Sequence, residues 1–532
     1  MRNYFPVIYI RGYARTAEEV ENTFNLPYYG FNLGSTQYRQ SAGRDPEMHI
    51  FESPVIRLLK DHGYVDAYGR YSDQSGRPIR DSVPAEEWRK TLWIFRYYDP
   101  ESGLFGGDRP AFTYYAAQLF AFLSQVREAC GKPSDFKVNL VAHSMGGLVA
   151  RCYLQASNIK LFTDAIEQIK KTEPERLFTK EVPVNKLFTY ATPHRGIAFR
   201  RLLGPVNWIR EVTGSFREDQ FTPKYMARYL GPGATQKQPN GYKPRPHAPP
   251  LEKTFSLVGS NAGDYTVRSM RVSVGPKSDG LVLTENAYIH AGPRAYVHRS
   301  HSGPFGIVNS EEGYQNLQRF LFGNRQFQIR LRFGTISRQL PGIDENTTLQ
   351  FLLLDIAIAL RGVGGYLDHH DERDMTAEAI KVGKTDSHAY KPTGEQDPVL
   401  FTGYLFADAG QDNENLDYRP AKTDKYSRWL LELQIKPKYE RETRAYLGLS
   451  TSRSSFEGDH FLNDRVEFAL ADTGADGPPF TYRWHGDLED QMQEPQSEGG
   501  NGNLRRYAVP LPRSAQRYFN NVDLLVAVSE WS

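Results

Sequence analysis

The segment VNLVAHSMGGLVAR, residues 138–151, constrains the fold more than any other stretch of the chain. It opens on a short apolar run of the kind found in a strand buried on both faces of a parallel sheet. It closes on residues 147–155, which read as a helix. Only Ala142, His143, Ser144, Met145 and Gly146 stand between. The chain must pass from a buried strand into a helix through a tight turn, with Ser144 at its apex. Small residues at 142 and 146 let neighbouring backbone approach the turn. The helix start then aims the Met145 N–H at whatever the serine hydroxyl meets. The pattern is a G-x-S-x-G elbow with alanine in its first place.

The surrounding sequence supplies a sheet for this elbow. Residues 5–10, 91–97, 137–142, 186–192, 254–259 and 294–298 read as short strands. Residues 54–62, 111–129 and 309–322 read as helices, the second stopped by Gly131 and Pro133. Such alternation implies a mostly parallel α/β sheet flanked by helices. From Gln326 the period changes to two: residues 328–333, 429–436, 465–470, 506–511 and 521–531 alternate polar and apolar between Gly- and Asp-rich turns. That pattern predicts a C-terminal all-β domain, a sandwich. A chain of 532 residues exceeds one ordinary core, so two domains are expected, 1–324 and 325–532. Residues 231–250, rich in Pro and Gly, read as a loop within the first.

Three further segments accompany the elbow: Tyr9-Ile10-Arg11-Gly12-Tyr13, Ala191-Thr192-Pro193-His194-Arg195-Gly196, and Ser278-Asp279-Gly280-Leu281-Val282. With them the chain resembles the α/β-hydrolase superfamily in its serine lipase and esterase branch, bacterial lipases and lipid-ester deacylases. The resemblance covers residues 4–323 and leaves the β domain aside. It implies an α/β-hydrolase fold with lid-like insertions and a triad in the order serine, acid, histidine. Ser144 is then the nucleophile, Asp279 the acid with Asp264 as alternative, and His301 the base ahead of His298 and His290. Thr192, Pro193, His194 and Gly196 form the motif turn that follows the next strand. His143 and His194 read as packing within their motifs. Met145 N–H is one oxyanion donor, and Tyr13 N–H the second by its place after Arg11-Gly12. Arg11 stands where relatives carry histidine, bringing a guanidinium near the site or pairing with a structural carboxylate.

The implied chemistry is acyl transfer from hydrophobic esters or lipids through an acyl-enzyme, with no cofactor and no metal. The run Asp368-His369-His370-Asp371-Glu372-Arg373-Asp374 is expected to be a solvated loop, its spacing matching no metal motif. A phospholipase, even one delivered as a membrane-directed toxin, and a non-catalytic binding protein are the alternatives. Insertions at 157–184 and 197–253 are expected, the first charged and helical. The second carries either a packed cap helix or a lid over 201–212. Residues 195–253 hold 11 Lys and Arg against 4 Asp and Glu, which suits anionic head groups or a solvated face.

The whole chain is nearly balanced, with 65 Lys and Arg against 63 Asp and Glu, which argues against a nucleic-acid partner. Its two cysteines exclude a disulfide framework. No run approaches the roughly 20 apolar residues of a membrane helix, and no secretory leader is recognisable. A cytoplasmic chain is expected, with signal-independent export as alternative. Membrane contact would be peripheral, and a protein partner would meet the β domain.

Overall fold

The computed structural model describes residues 4–12, 33–39, 47–73, 76–97, 112–156, 159–197, 221–264, 274–303, 305–337, 340, 344, 346–385, 389–394, 397–406, 428–444, 451–470, 478–487 and 491–532. The chain divides into two compact units, Met1–Leu321 and Phe322–Ser532, a few residues before the boundary expected at 324.

The first unit is built on seven parallel strands. They are β1 (Val7–Ile10), β4 (Val65–Asp66), β5 (Thr91–Phe95), β6 (Val138–His143), β7 (Val184–Tyr190), β8 (Thr254–Gly259) and β9 (Arg294–Val297), in the order β4-β5-β1-β6-β7-β8-β9. Between β1 and β4 lies an antiparallel ribbon, β2 (Leu33–Arg39) with β3 (Glu47–Glu52). Every residue of β1, β5 and β8 is buried, as apolar strands covered on both faces require. From β1 the chain runs outward to β4 and returns through β5. It then crosses to β6 on the other side of β1. That reversal puts a crevice beyond the carboxyl ends of β1 and β6, where open α/β sheets bind ligands.

Local signals set the helices. In α1 (Pro54–His62) the Ser53 hydroxyl accepts from Val55 N at 3.1 Å, Pro54 starts the helix, and Gly63 ends it at φ 64°. The long α2 (Phe112–Ala129) and α3 (Met145–Ala156) are buried, α3 along its whole length. They contribute Phe112, Leu119, Leu148 and Tyr153 to a core with Ile8, Trp93 and Leu140 from the sheet. The charged insertion forms α4 (Lys160–Thr172), α5 (Pro223–Leu230) follows β7, and residues 231–250 contain neither helix nor strand. The unit closes on α6 (Glu311–Phe322). The expected helix or lid at 201–212 lies outside the described residues, as do residues 198–220 generally.

The second unit is antiparallel throughout. Its smaller sheet joins strands 399–405, 325–332, 523–530, 504–510 and 496–501 in that order. The larger, ten-stranded sheet centres on the long strands Thr347–Leu360 and Arg428–Arg444. Alternate residues of 325–332 point inward: Phe327, Ile329 and Leu331 are fully buried. Phe327 and Phe401 from the small sheet meet Trp429 of the large one, which stacks on Phe468 at 4.2 Å. One core thus fills the space between two sheets, a sandwich.

The expected solvated loop at 368–374 is a correction. Tyr366–His370 is a strand, and Asp368, His370, Asp371 and Asp374 are buried. Hydrogen bonds make that burial tolerable. His370 Nδ1 lies 3.1 Å from Thr376 O and its Nε2 3.3 Å from Asp368 Oδ1, while Asp371 pairs with Arg373 at 2.6 Å. Among the described residues no helix is long and apolar enough to cross a membrane.

Candidate active site

Ser144 stands where β6 turns into α3, with φ at 51°. This left-handed backbone is uncommon for a residue with a side chain and marks local strain. Two bonds hold it: Ser144 N–H donates to Tyr190 O at 2.9 Å, and Ser144 O accepts from Gly147 N at 3.1 Å. Close packing at the helix start explains the small residues. A Cβ on Gly146 would lie 2.6 Å from Arg11 O and 2.7 Å from Ile10 O. A Cβ on Gly147 would overlap the Thr192 side chain. Ala142 is fully buried in β6, paired with Ile10 of β1 and Thr189 of β7.

Two loops bring the partners to this serine. The loop before β9 carries Asp279 and the loop after it carries His301. His301 Nε2 lies 2.9 Å from Ser144 Oγ, and His301 Nδ1 2.8 Å from Asp279 Oδ2. The other carboxylate oxygen of Asp279 accepts from Leu281 N at 2.9 Å and Val282 N at 2.7 Å. Asp279 O in turn accepts from His301 N–H at 2.9 Å. All three side chains are buried, Asp279 completely. A base within bonding reach of a hydroxyl and oriented by a carboxylate can take the hydroxyl proton as oxygen attacks an acyl carbon. Asp264, the alternative acid, instead ends a short turn where its Oδ2 accepts from Asn261 Nδ2 at 2.6 Å. The imidazole that bridges Ser144 and an acid is His301 rather than His298 or His290. Met145 begins α3, so its N–H is among those a helix start leaves without an intrahelical acceptor. Tyr13 lies outside the described residues.

The motif turn supports the elbow from behind. Ala191 has φ 46°, and His194 N–H donates to Thr192 O at 2.7 Å. Gly196, at φ 94°, closes the turn with a bond to Pro193 O. Beneath it the buried Arg151 guanidinium donates to His194 O at 2.9 Å, Gly241 O at 2.7 Å and Gln155 Oε1 at 3.0 Å. Burial pulls Arg151 down to about 10. His194 pairs through Nε2 with Thr189 Oγ1 at 3.0 Å, and burial with the nearby Arg151 charge holds it well below the usual imidazole range. Burial, then the His301 charge, pulls His143 down to about 3.

Several residues that shape the site carry no motif signal. A Cβ on Gly259, at the end of β8, would lie 2.6 Å from Arg299 O and 2.9 Å from Asp279 Cβ. Arg299 is clamped by Glu312 at 2.7 and 3.0 Å, fixing the start of the base loop. These contacts join residues 13 to 40 positions apart that share no motif, so spacing could not reveal them.

Residues 112–217 match the family described as "Putative serine esterase (DUF676)". That span contains the elbow and the motif turn. The match puts an esterase-type, ester-bond hydrolase in the first unit. No curated protein matches the chain. Among solved structures, phospholipase PlaB from Legionella pneumophila is similar at 13% identity, over 85% of this chain and 90% of that one, with a TM-score of 0.30. The same phospholipase in complex with thio-NAD gives 12%, 88%, 90% and 0.29.

Replacing Gly259 by Ala forces the Arg299 backbone or Asp279 to move. Turnover of a short p-nitrophenyl ester is expected to fall about 10- to 100-fold with the fold retained by circular dichroism. The pH dependence of stability has a defined sign. His143 is neutral in the folded chain down to about pH 3, whereas its ordinary value is 6.5. As pH falls through that window the unfolded chain gains a proton that the folded chain refuses, so stability declines. Urea midpoints at pH 7 and pH 5 should show this loss, reduced in His143→Phe.

Proposed function

We propose that the first unit hydrolyses hydrophobic acyl esters through Ser144, His301 and Asp279. The observation that carries this reading is the unbroken bonding line from Asp279 Oδ2 through both His301 nitrogens to Ser144 Oγ, at 2.8 and 2.9 Å. His301 takes the Ser144 proton as Oγ attacks the ester carbonyl, and the negative oxygen of the tetrahedral intermediate is met by Met145 N–H and Tyr13 N–H. His301 then returns the proton to the departing alcohol, leaving an acyl-enzyme. In the second half His301 takes a proton from water as its oxygen attacks the acyl carbon, then returns that proton to Ser144 Oγ as the bond to the acyl group breaks, which releases the acid and restores Ser144. Asp279 holds the imidazole tautomer and stabilises the imidazolium. We place catalysis in residues 1–324 and an accessory docking role, for a membrane surface or a protein partner, in 325–532.

The preferred substrates are lipids or other esters with long acyl chains. A phospholipid version is favoured by two observations: the Arg11 charge acts on His143 in the elbow, and residues 195–253 carry seven more cationic than anionic side chains. An anionic head group would be drawn by both.

Hydrolysis of p-nitrophenyl esters from acetate to palmitate tests the core of this reading. Ser144→Ala is expected to lower turnover by roughly three orders of magnitude or more, with wild type preferring long chains. Equal rates for wild type and Ser144→Ala would overturn it in favour of a binding protein. Fatty-acid release from phosphatidylglycerol vesicles tests the phospholipid version, which falls if only neutral esters are cleaved.

A further inference from the structure

We infer that His143 is a positioning residue, tying the backbone of the base His301 to the elbow so that the base keeps its line to Ser144. This rests on the triad reading above, and adds a role for a side chain that otherwise reads as motif packing. His143 Nε2 lies 3.0 Å from the backbone oxygen of His301. A carbonyl only accepts, so Nε2 carries the proton and Nδ1 a lone pair. The two imidazoles lie 5.1 Å apart, centroid to centroid. On its other side the His143 ring lies flush against the turn after β1: a Cβ on Gly12 would sit 2.6 Å from Nδ1 and 3.2 Å from Cε1. One side chain therefore spans the β1 turn, the elbow and the base loop.

The consequence for His301 is fixation at every polar group. Its N–H donates to Asp279 O at 2.9 Å, its oxygen accepts from His143, and its ring bonds Asp279 and Ser144. A base so held needs little reorganisation when the proton moves. The neutral state of His143 matters too. When His301 becomes an imidazolium, a second positive ring 5.1 Å away would oppose it. Burial keeps that second charge from forming at any working pH.

The test compares His143→Phe, His143→Gln and Ser144→Ala on p-nitrophenyl butyrate, with thermal melts of each. Phe keeps a flat ring but has no donor, whereas the Gln amide nitrogen reaches the place of Nε2. A donor role predicts a kcat loss of about 10- to 100-fold in Phe, a KM within about two-fold of wild type, and recovery of most of kcat in Gln. A space-filling role predicts the reverse order, with Phe at least as active as Gln, and would overturn the inference. Histidine-labelled 15N spectra of the wild type provide a check independent of folding in the variants. His143 is expected as the Nε2–H tautomer, without titration from pH 5 to 9. The Nδ1–H tautomer there would also overturn it. Full turnover in Ser144→Ala would refute the triad itself. An inactive Ser144→Ala beside a fully active His143→Phe would refute only the positioning role.

Discussion

The site depends on the close approach of the β1 turn to the first turn of α3. Backbone oxygens of Ile10 and Arg11 occupy the space a Cβ on Gly146 would need. That contact seats the helix start against the central strand and sets where Ser144 can project. Because Ser144 is held at φ 51° by bonds on both sides, its side chain has little freedom to leave the crevice. The strain of that backbone is small beside the burial of all twelve residues of α3. A helix packed on every side can sustain a conformation that an exposed turn would relax.

The same logic explains the buried charges around the elbow. Among the described residues no carboxylate pairs with Arg151. It is satisfied by carbonyl and amide oxygens from the motif turn, the 239–241 loop and its own helix. A guanidinium can serve several such oxygens at fixed angles, which an ammonium cannot. It therefore welds three segments that have no continuous secondary structure in common. Lys186 on β7 works similarly, donating to Phe320 O and Leu321 O at the end of α6. Burial holds its ammonium well below the usual lysine range.

Much of this was legible in the sequence because the parallel strands are short, apolar and flanked by strong stops. The elbow was legible because its small-x-Ser-x-Gly pattern lies between a buried strand and a helix. Asp279 and His301 could be ordered by resemblance, and the structure brings both to Ser144. The ribbon at 33–39 and 47–52 escaped, since LGSTQYR and EMHIFE carry no clean alternation. The run at 366–370 escaped for another reason. Polar residues there are buried by pairing with one another, Asp368 with His370, and composition reads such pairs as solvent-facing. Gly12 and Gly259 were invisible because their constraint is the distance to residues more than a hundred positions away or in another loop.

The three side chains of the site come from positions 144, 279 and 301, and the bond between Ser144 and His301 spans 157 residues of chain. His301 follows β9, the last strand of the parallel sheet, which pairs with β8. Nothing local can assemble that bond early, and sheets of such non-local pairings fold slowly. An emerging or partly refolded chain can therefore hold the whole elbow, strand and helix included, while the bond to His301 is still unmade. On the proposed reading of the site, Ser144 would gain its base only when the sheet is closed.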